Sequence, residues 1–507
     1  MAQDLDQMDG ELPRMSSGIQ GLDEILRGGF VRNGIYIVQG LPGAGKTIFG
    51  NQVCYTQVAA GHSALYVTLL SETYDRMLLN IGRMQFFRSD YIAHDLNYIS
   101  AFRVLEQDGL HGLLTLIRRE IVARNPAVLV IDGLVAAEHL APSEIELKKF
   151  IHELQTQAAA GECTMFLLTS AGDSTISPEH TMVDGMIELV DHHYAWRAER
   201  ELCVRKFRGS GYLRGRHSMR IDDNGISVYP RIEAMHARPT PIKPVSGERV
   251  SLGVAGLDEM LCGGVSEGAT TLVLGPTGSG KTSFGLHFLG AARPAEPGLM
   301  VGFYESPDAI THRAGLLAPQ LARSLGDGSA QMLWYPAVED HMDRIARELL
   351  ENVVSRGVRR LFVDGILGFR DLTPYHERLP GFMRSLCSRL RALNVTTMFT
   401  LEVPELVGNV VRAPATDLTP IAENLLLLRY VELNARLRRL VSVLKVRDGW
   451  FDPMLREFQI ATGRIVIDGP FQGVEGLLTG FPHTVADGDS STRPEGDPGS
   501  GQVRPGT

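Results

Sequence analysis

The 507-residue sequence predicts an α/β protein made of two tandem P-loop domains, each a mostly parallel sheet flanked by helices. Three observations predict it. Short β-branched runs alternate with longer helical patterns, and the runs are continuously apolar, as strands buried on both faces of a parallel sheet must be. A G-x-x-x-x-G-K-[ST] stretch occurs twice, as "GLPGAGKT" at 40–47 and "GPTGSGKT" at 275–282, each time between a strand and a helix. The second copy starts 235 positions after the first, and the flanking sequence repeats at nearly the same offset. That period is far too long for a solenoid, so it marks a duplicated domain.

The elements follow in order. Residues 1–14 are acidic and polar, with no apolar stretch of the kind a secretory leader needs, and are expected to be a flexible segment. The first domain is placed at 15–236. It opens with "SGIQGLDEILRGG" (17–29), which faces "LGVAGLDEMLCGG" (252–264) in the second. The strands "IYIVQ" and "TLVL" run into the glycine loops, and the helices "IFGNQVCYTQVAAG" and "SFGLHFLGAAR" leave them. Next come the strands "ALYVTLL" and "LMVGFY", then "AVLVID" and "RLFVD", then "TMFLLTS" and "TTMFTL". Each copy closes on a K-x-R strand, "VRKFRGS" (204–210) and "VLKVRDG" (443–449). Residues 237–249 are proline-rich and read as a linker, the second domain as 250–470, and the Gly-, Pro-, Ser- and Asp-rich 471–507 as a disordered tail.

Composition narrows the function classes. An apolar fraction of 44% with 21% charged residues fits a soluble globular protein. A net charge of −9 gives no general attraction to nucleic acid or to anionic membrane. No apolar run reaches a membrane span. The five cysteines are scattered without a C-x-x-C pair, which argues against a disulfide framework or a zinc site and suits a reducing cytoplasm.

The glycine loops carry the chemistry. In Gly40, Leu41, Pro42, Gly43, Ala44, Gly45, Lys46 and Thr47, and again in Gly275, Pro276, Thr277, Gly278, Ser279, Gly280, Lys281 and Thr282, the glycines let backbone N–H groups wrap a phosphate. The following helix turns its positive end toward the anion. Lys46 and Lys281 are expected to reach the β- and γ-phosphates of ATP, and Thr47 and Thr282 to place a hydroxyl on Mg2+. Asp132 and Asp364 each end an apolar strand and are the candidate metal carboxylates. Glu72 and Glu305 follow the strand after the loop helix. Each is either the carboxylate that orients or deprotonates the attacking water or an acidic residue favoured at a helix N-terminus.

Two modules beginning "SG..GLDE.L.GG", each with a P-loop, a strand-end Glu, a strand ending in Asp and a closing K-x-R, resemble the KaiC family of RecA-superfamily P-loop ATPases, which includes the circadian clock ATPases. "LLLLRYVEL" (425–433) and "SVLKVRDGWFDPMLREFQI" (442–460) add to the resemblance, which runs from about residue 16 to about residue 467. It implies two RecA-like domains, a two-tiered homo-hexameric ring with ATP at subunit interfaces, and a KaiB-like or signalling protein as partner. It also implies that Lys206 and Arg208, and in the second tier Lys445 and Arg447, reach a neighbouring subunit's phosphates. Some relatives phosphorylate themselves on Ser or Thr; the matching position here is Thr419, followed by Pro420 where the clock protein has a second hydroxyl, with Thr416 a further hydroxyl nearby. Other departures are a single Glu per module where the clock protein has two, and Asp448 where the family usually has Gly. The alternatives are a RecA-like DNA recombination or repair ATPase, which lacks basic DNA-facing loops here, and a scaffold that binds ATP only to assemble.

Overall fold

The computed structural model describes residues 12–70, 74–170, 182–194, 196–237, 247–336, 340–403, 418–433 and 435–470, with short strands at 474–475 and 483–484. The first sheet has nine strands: β1 (Ile35–Gly40), β2 (Ala64–Thr68), β3 (Leu96–Ser100), β4 (Val128–Asp132), β5 (Thr164–Thr169), β6 (Gly185–Tyr194), β7 (Arg197–Phe207), β8 (Arg216–Asp222) and β9 (Gly225–Tyr229). Their spatial order is β3-β2-β4-β5-β1-β6-β7-β8-β9. The first six in that order pair in parallel, and the last three fold back as antiparallel hairpins.

The second sheet comprises β10 (Thr270–Gly275), β11 (Gly298–Gly302), β12 (Ala330–Trp334), β13 (Arg360–Asp364), β14 (Thr396–Glu402), β15 (Asn424–Leu433), β16 (Arg436–Val446), β17 (Arg456–Ala461) and β18 (Arg464–Pro470). It runs β12-β11-β13-β14-β10-β15-β16-β17-β18, which is the first order with nine added to each number. In both sheets the phosphate-loop strand is central, so its C-terminal end opens between neighbours rather than at an edge. The central strands are apolar throughout because both faces are covered: β1, β2, β4 and β5 carry Tyr36, Val38, Tyr66, Val130 and Phe166 into one layer and Ile35, Ile37, Leu65, Leu129 and Leu167 into the other.

Two helices follow the loops, α1 (Lys46–Ala59) and, in the second module, α3 (Lys281–Gly290). Between them in the chain is α2 (Tyr74–Ile81), whose second-module counterpart is α4 (Pro307–Leu317). Gly285 lets α3 sit directly on β13: a Cβ there would lie 2.0 Å from Phe362 Cζ. That close approach carries the start of α3 within reach of the end of β13.

By their contacts the residues form two compact units. One is Met1–Pro241 with Ala337–Asn352 and Phe369–Arg389; the other is Ile242–Pro336 with Val353–Gly368 and Leu390–Thr507. The unit boundaries therefore differ from the sequence repeat at two segments of the second copy. The reason is visible within the first unit, where buried Asp343 accepts the Ile232 N–H at 3.2 Å and pairs with Arg378. Periodicity along the chain cannot reveal that contact. Most of the expected tail lies outside the described residues, but Val474–Glu475 and His483–Thr484 pair as a short antiparallel ladder within it. Among the described residues no helix is long and apolar enough to cross a membrane, and all five cysteines are free, four of them buried.

Candidate functional site

Each phosphate loop leaves the end of its central strand and enters a helix whose N-terminus has no side-chain cap. The N-cap residues Gly45 and Gly280 have φ of 102° and 107°, a left-handed conformation that costs a glycine little. The first N–H groups of α1 and α3 are thus left for a ligand, where the helix dipole also favours an anion. Lys46 Nζ donates to Gly40 O at 2.6 Å and Leu41 O at 3.0 Å. Lys281 does the same to Gly275 O and Pro276 O, both at 2.8 Å. Each lysine lies across its own loop, positioned to exchange carbonyls for phosphate oxygens. Burial pushes both amines below their ordinary range, while Asp132 opposes this for Lys46 and Glu402 and Asp364 for Lys281.

The strand-end aspartates meet the loop hydroxyls. Thr47 Oγ1 donates to Asp132 Oδ2 at 3.0 Å, and Thr282 Oγ1 to Asp364 Oδ2 at 2.8 Å. The two carboxylates are supported differently. Asp132 accepts the Tyr66 hydroxyl at 2.7 Å, from the neighbouring strand β2. Asp364 accepts Thr400 Oγ1 at 2.7 Å, from β14, and Thr400 Oγ1 in turn accepts the Gly365 N–H. Burial raises both carboxyls above the usual range, and these hydroxyl bonds pull them back down. A hydroxyl and a carboxylate oxygen in contact form a hard-oxygen donor set that suits Mg2+, which keeps several waters and takes its other ligands from phosphate. Among the described residues no cluster of three or more His, Cys, Asp or Glu could hold a metal by itself. A magnesium ion here fits as part of a nucleotide complex.

A cavity opens beside each loop. The first, of about 320 Å3, is lined by Lys46, Thr47, Met77, Asn80 and Asp132 among others. The second, of about 780 Å3, is lined by Lys281, Thr282, Tyr304, Glu305, Arg313, Asp364 and Glu402 among others. Glu305 therefore faces the phosphate-loop cavity, with its charge felt at Asp364. Its partner is Arg313 of α4, whose Nη1 donates to Glu305 Oε1 at 2.7 Å. Glu72 lies outside the described residues. Glu402, at the end of β14, adds a carboxylate that sequence reading missed; it accepts the hydroxyl of Thr277 in the loop. Its signal was its place at the end of the strand beside β10. Tyr66 and Thr400 were missed for a similar reason, since each sits inside an apolar run, and only strand pairing brings it to the aspartate.

The two K-x-R pairs lie elsewhere in their modules. In the first sheet Lys206 pairs with Met186 and the Arg208 N–H bonds Asp184 O, whereas Gly40 is level with Leu189. At about 3.3 Å per residue, the lysine and arginine backbones sit about 10 and 16 Å back along the sheet from the start of their own loop. The second sheet repeats this: Lys445 pairs with Leu425 and Arg447 N bonds Glu423 O, while Leu274, just before the loop, pairs with Leu427. A β-bulge precedes each pair, with Arg205 and Leu444 as the extra residues. A bulge re-aims the side chains that follow it, and this one recurs at the same place in both modules. Burial first, then the nearby Arg208 charge, depresses the Lys206 amine, with Asp184 opposing. Lys445 is depressed by burial and by Arg447 in the same way, and its Nζ donates to Ala422 O at 2.7 Å. Thr419 is half-buried beside this pair, its carbonyl 3.5 Å from Lys445 Nζ; Thr416 lies outside the described residues.

Comparison with known proteins agrees with this duplicated arrangement. A family model described as "ATPase: KaiC" matches residues 15–233 and again 250–470. The circadian clock oscillator protein KaiC of Parathermosynechococcus lividus is 24% identical, over 95% of this chain and 90% of that protein. Those of a Picosynechococcus species and of Prochlorococcus marinus are also 24% identical, over 92% and 94% of this chain and 92% and 97% of their own lengths. With both modules matched, both sheets in one order and a phosphate loop on the central strand of each, the chain belongs to the KaiC family and is a tandem RecA-like P-loop ATPase.

Proposed function

We propose that the chain binds ATP with Mg2+ at both loops and hydrolyses it in a ring of identical copies, acting in signalling or timing in the cytoplasm. The observation that carries this is the repeated contact between a loop threonine hydroxyl and a strand-end aspartate, Thr47–Asp132 and Thr282–Asp364. When bound, magnesium neutralises charge on the β- and γ-phosphates. Asp132 and Asp364 hold the metal side of the site, with Tyr66 and Thr400 fixing their rotamers. Lys46 and Lys281 turn from their own loop carbonyls to the phosphates. In the second module Glu305 orients a water for in-line attack on the γ-phosphate; Glu72 takes that part in the first.

The K-x-R pairs complete the sites in trans. Their setback from their own loops supports this, since the loop they could serve belongs to another copy. A cation supplied by a neighbour stabilises transition-state charge and makes hydrolysis depend on assembly. The relatives are named as clock oscillator proteins, which favours a timing or signalling output and a KaiB-like or signalling partner. Autokinase activity on Thr419 is a weaker accessory: Pro420 removes one acceptor, and Tyr304, a phenol rather than a carboxylate, stands beside Glu305 where a second carboxylate would sit.

Light scattering on a sizing column, with and without Mg·ATP, followed by an ATPase assay of the assembled peak, tests the proposal. A hexamer-sized, ATP-dependent, hydrolysing peak is expected. An assembled peak without turnover would instead identify a nucleotide-held scaffold.

A further inference from the structure

The second phosphate-loop cavity holds an ion pair on its candidate water-orienting carboxylate, Glu305. Arg313 stands eight residues after Glu305, and Asn80 eight residues after Glu72. Both line the phosphate-loop cavity of their own module. Arg313 Nη1 donates to Glu305 Oε1 at 2.7 Å, and the pair is about one-third exposed at each side chain. Glu402, the other carboxylate in that cavity away from Asp364, is taken up by Thr277. Arg313 is thus the cation that holds the Glu305 head group.

We propose that Arg313 is a positioning residue that restrains Glu305 and acts as a brake on hydrolysis in the second module. The inference rests on reading Glu305 as the carboxylate that orients water. A carboxylate oxygen that accepts from a planar guanidinium is directed toward that partner and competes poorly for a water proton. Each turnover in the second module must loosen this pair. Ion pairs exposed to this degree are weak, so the brake is expected to be worth about two- to fivefold in rate.

The test uses Lys46→Ala chains, in which only the second loop is loaded. Adding Arg313→Asn, the residue of the first module, is expected to raise kcat about two- to fivefold with KM moved less than about twofold. Arg313→Lys, which keeps the charge but loses the fork, falls between. The same comparison in the otherwise unaltered chain serves if Lys46→Ala chains fail to assemble. An unchanged or reduced kcat in Arg313→Asn, in both backgrounds, overturns the brake. Glu305→Gln separates this from the underlying reading: if that variant keeps full turnover, Glu305 does not orient the water, whatever Arg313→Asn does.

Discussion

Mixing two inactive variants tests the trans reading quantitatively. Arg208→Ala is expected to lower first-module hydrolysis about 10³-fold or more, the usual cost of losing a trans arginine. Lys46→Ala removes phosphate binding from the same module. Arg208 sits about 16 Å along the sheet from the start of its own loop; on the trans reading, each site takes its loop from one copy and its arginine from the next. Interfaces of this head-to-tail kind are intact only when an Arg208→Ala chain gives the loop and a Lys46→Ala chain gives the arginine. Random assembly of equal amounts makes about one interface in four intact, so about a quarter of the unmodified first-module rate is expected. The assay is phosphate release by the pre-mixed, co-assembled proteins, both carrying Lys281→Ala to silence the second module. A mixture no faster than the sum of its components would refute trans action by Arg208, and the register argument with it.

Three further outcomes follow from particular contacts. His217 is fully buried, its Nδ1 accepting the Arg231 N–H at 3.0 Å and its Nε2 donating to Leu213 O at 3.1 Å, and burial lowers its pKa to about 4. The unfolded chain takes up that proton near pH 6.5 and the folded chain resists, so stability falls as pH drops from 6.5 toward 4, by about 3 kcal/mol in all; urea titrations at pH 7 and 4.5 should show a loss that shrinks in His217→Gln. Gly285→Ala sets a methyl 2.0 Å from Phe362 Cζ, so overpacking of about 3 kcal/mol outweighs a helix-propensity gain of about 1 kcal/mol, whereas at Gly50 the nearest atom is 3.0 Å away and thermal melts should show a milder effect. After incubation with Mg·ATP, intact-mass measurement is expected to find at most one substoichiometric phosphate, in the segment holding Thr419; robust double phosphorylation there would contradict the weak-autokinase reading.

The duplicated α/β fold was legible because its signals are local. Strand runs, the glycine loops and the offset near 235 all survive without knowledge of the partner strands. The lysines, threonines and aspartates were legible because each sits at the end of a readable element. What was not legible depends on pairing across the sheet. Tyr66 and Thr400 read as core, and only the register of β2 with β4 and the packing of β14 beside β13 bring their hydroxyls to the aspartates. The bulges before Lys206 and Lys445 leave no local mark, since a strand with one extra residue looks like any other strand. The Glu305–Arg313 pair was hidden for a different reason: eight residues and a turn into the helix separate its members.

The central claim is that one chain carries two working nucleotide sites, and bound-nucleotide stoichiometry tests it most directly. Protein assembled with Mg·ATP, freed of excess nucleotide and quenched in acid, should release about two adenine nucleotides per chain, since each loop presents an uncapped helix N-terminus and a lysine. Lys46→Ala and Lys281→Ala should each reduce this to about one. If one substitution empties the protein and the other leaves it unchanged, the account of two equivalent phosphate loops is contradicted.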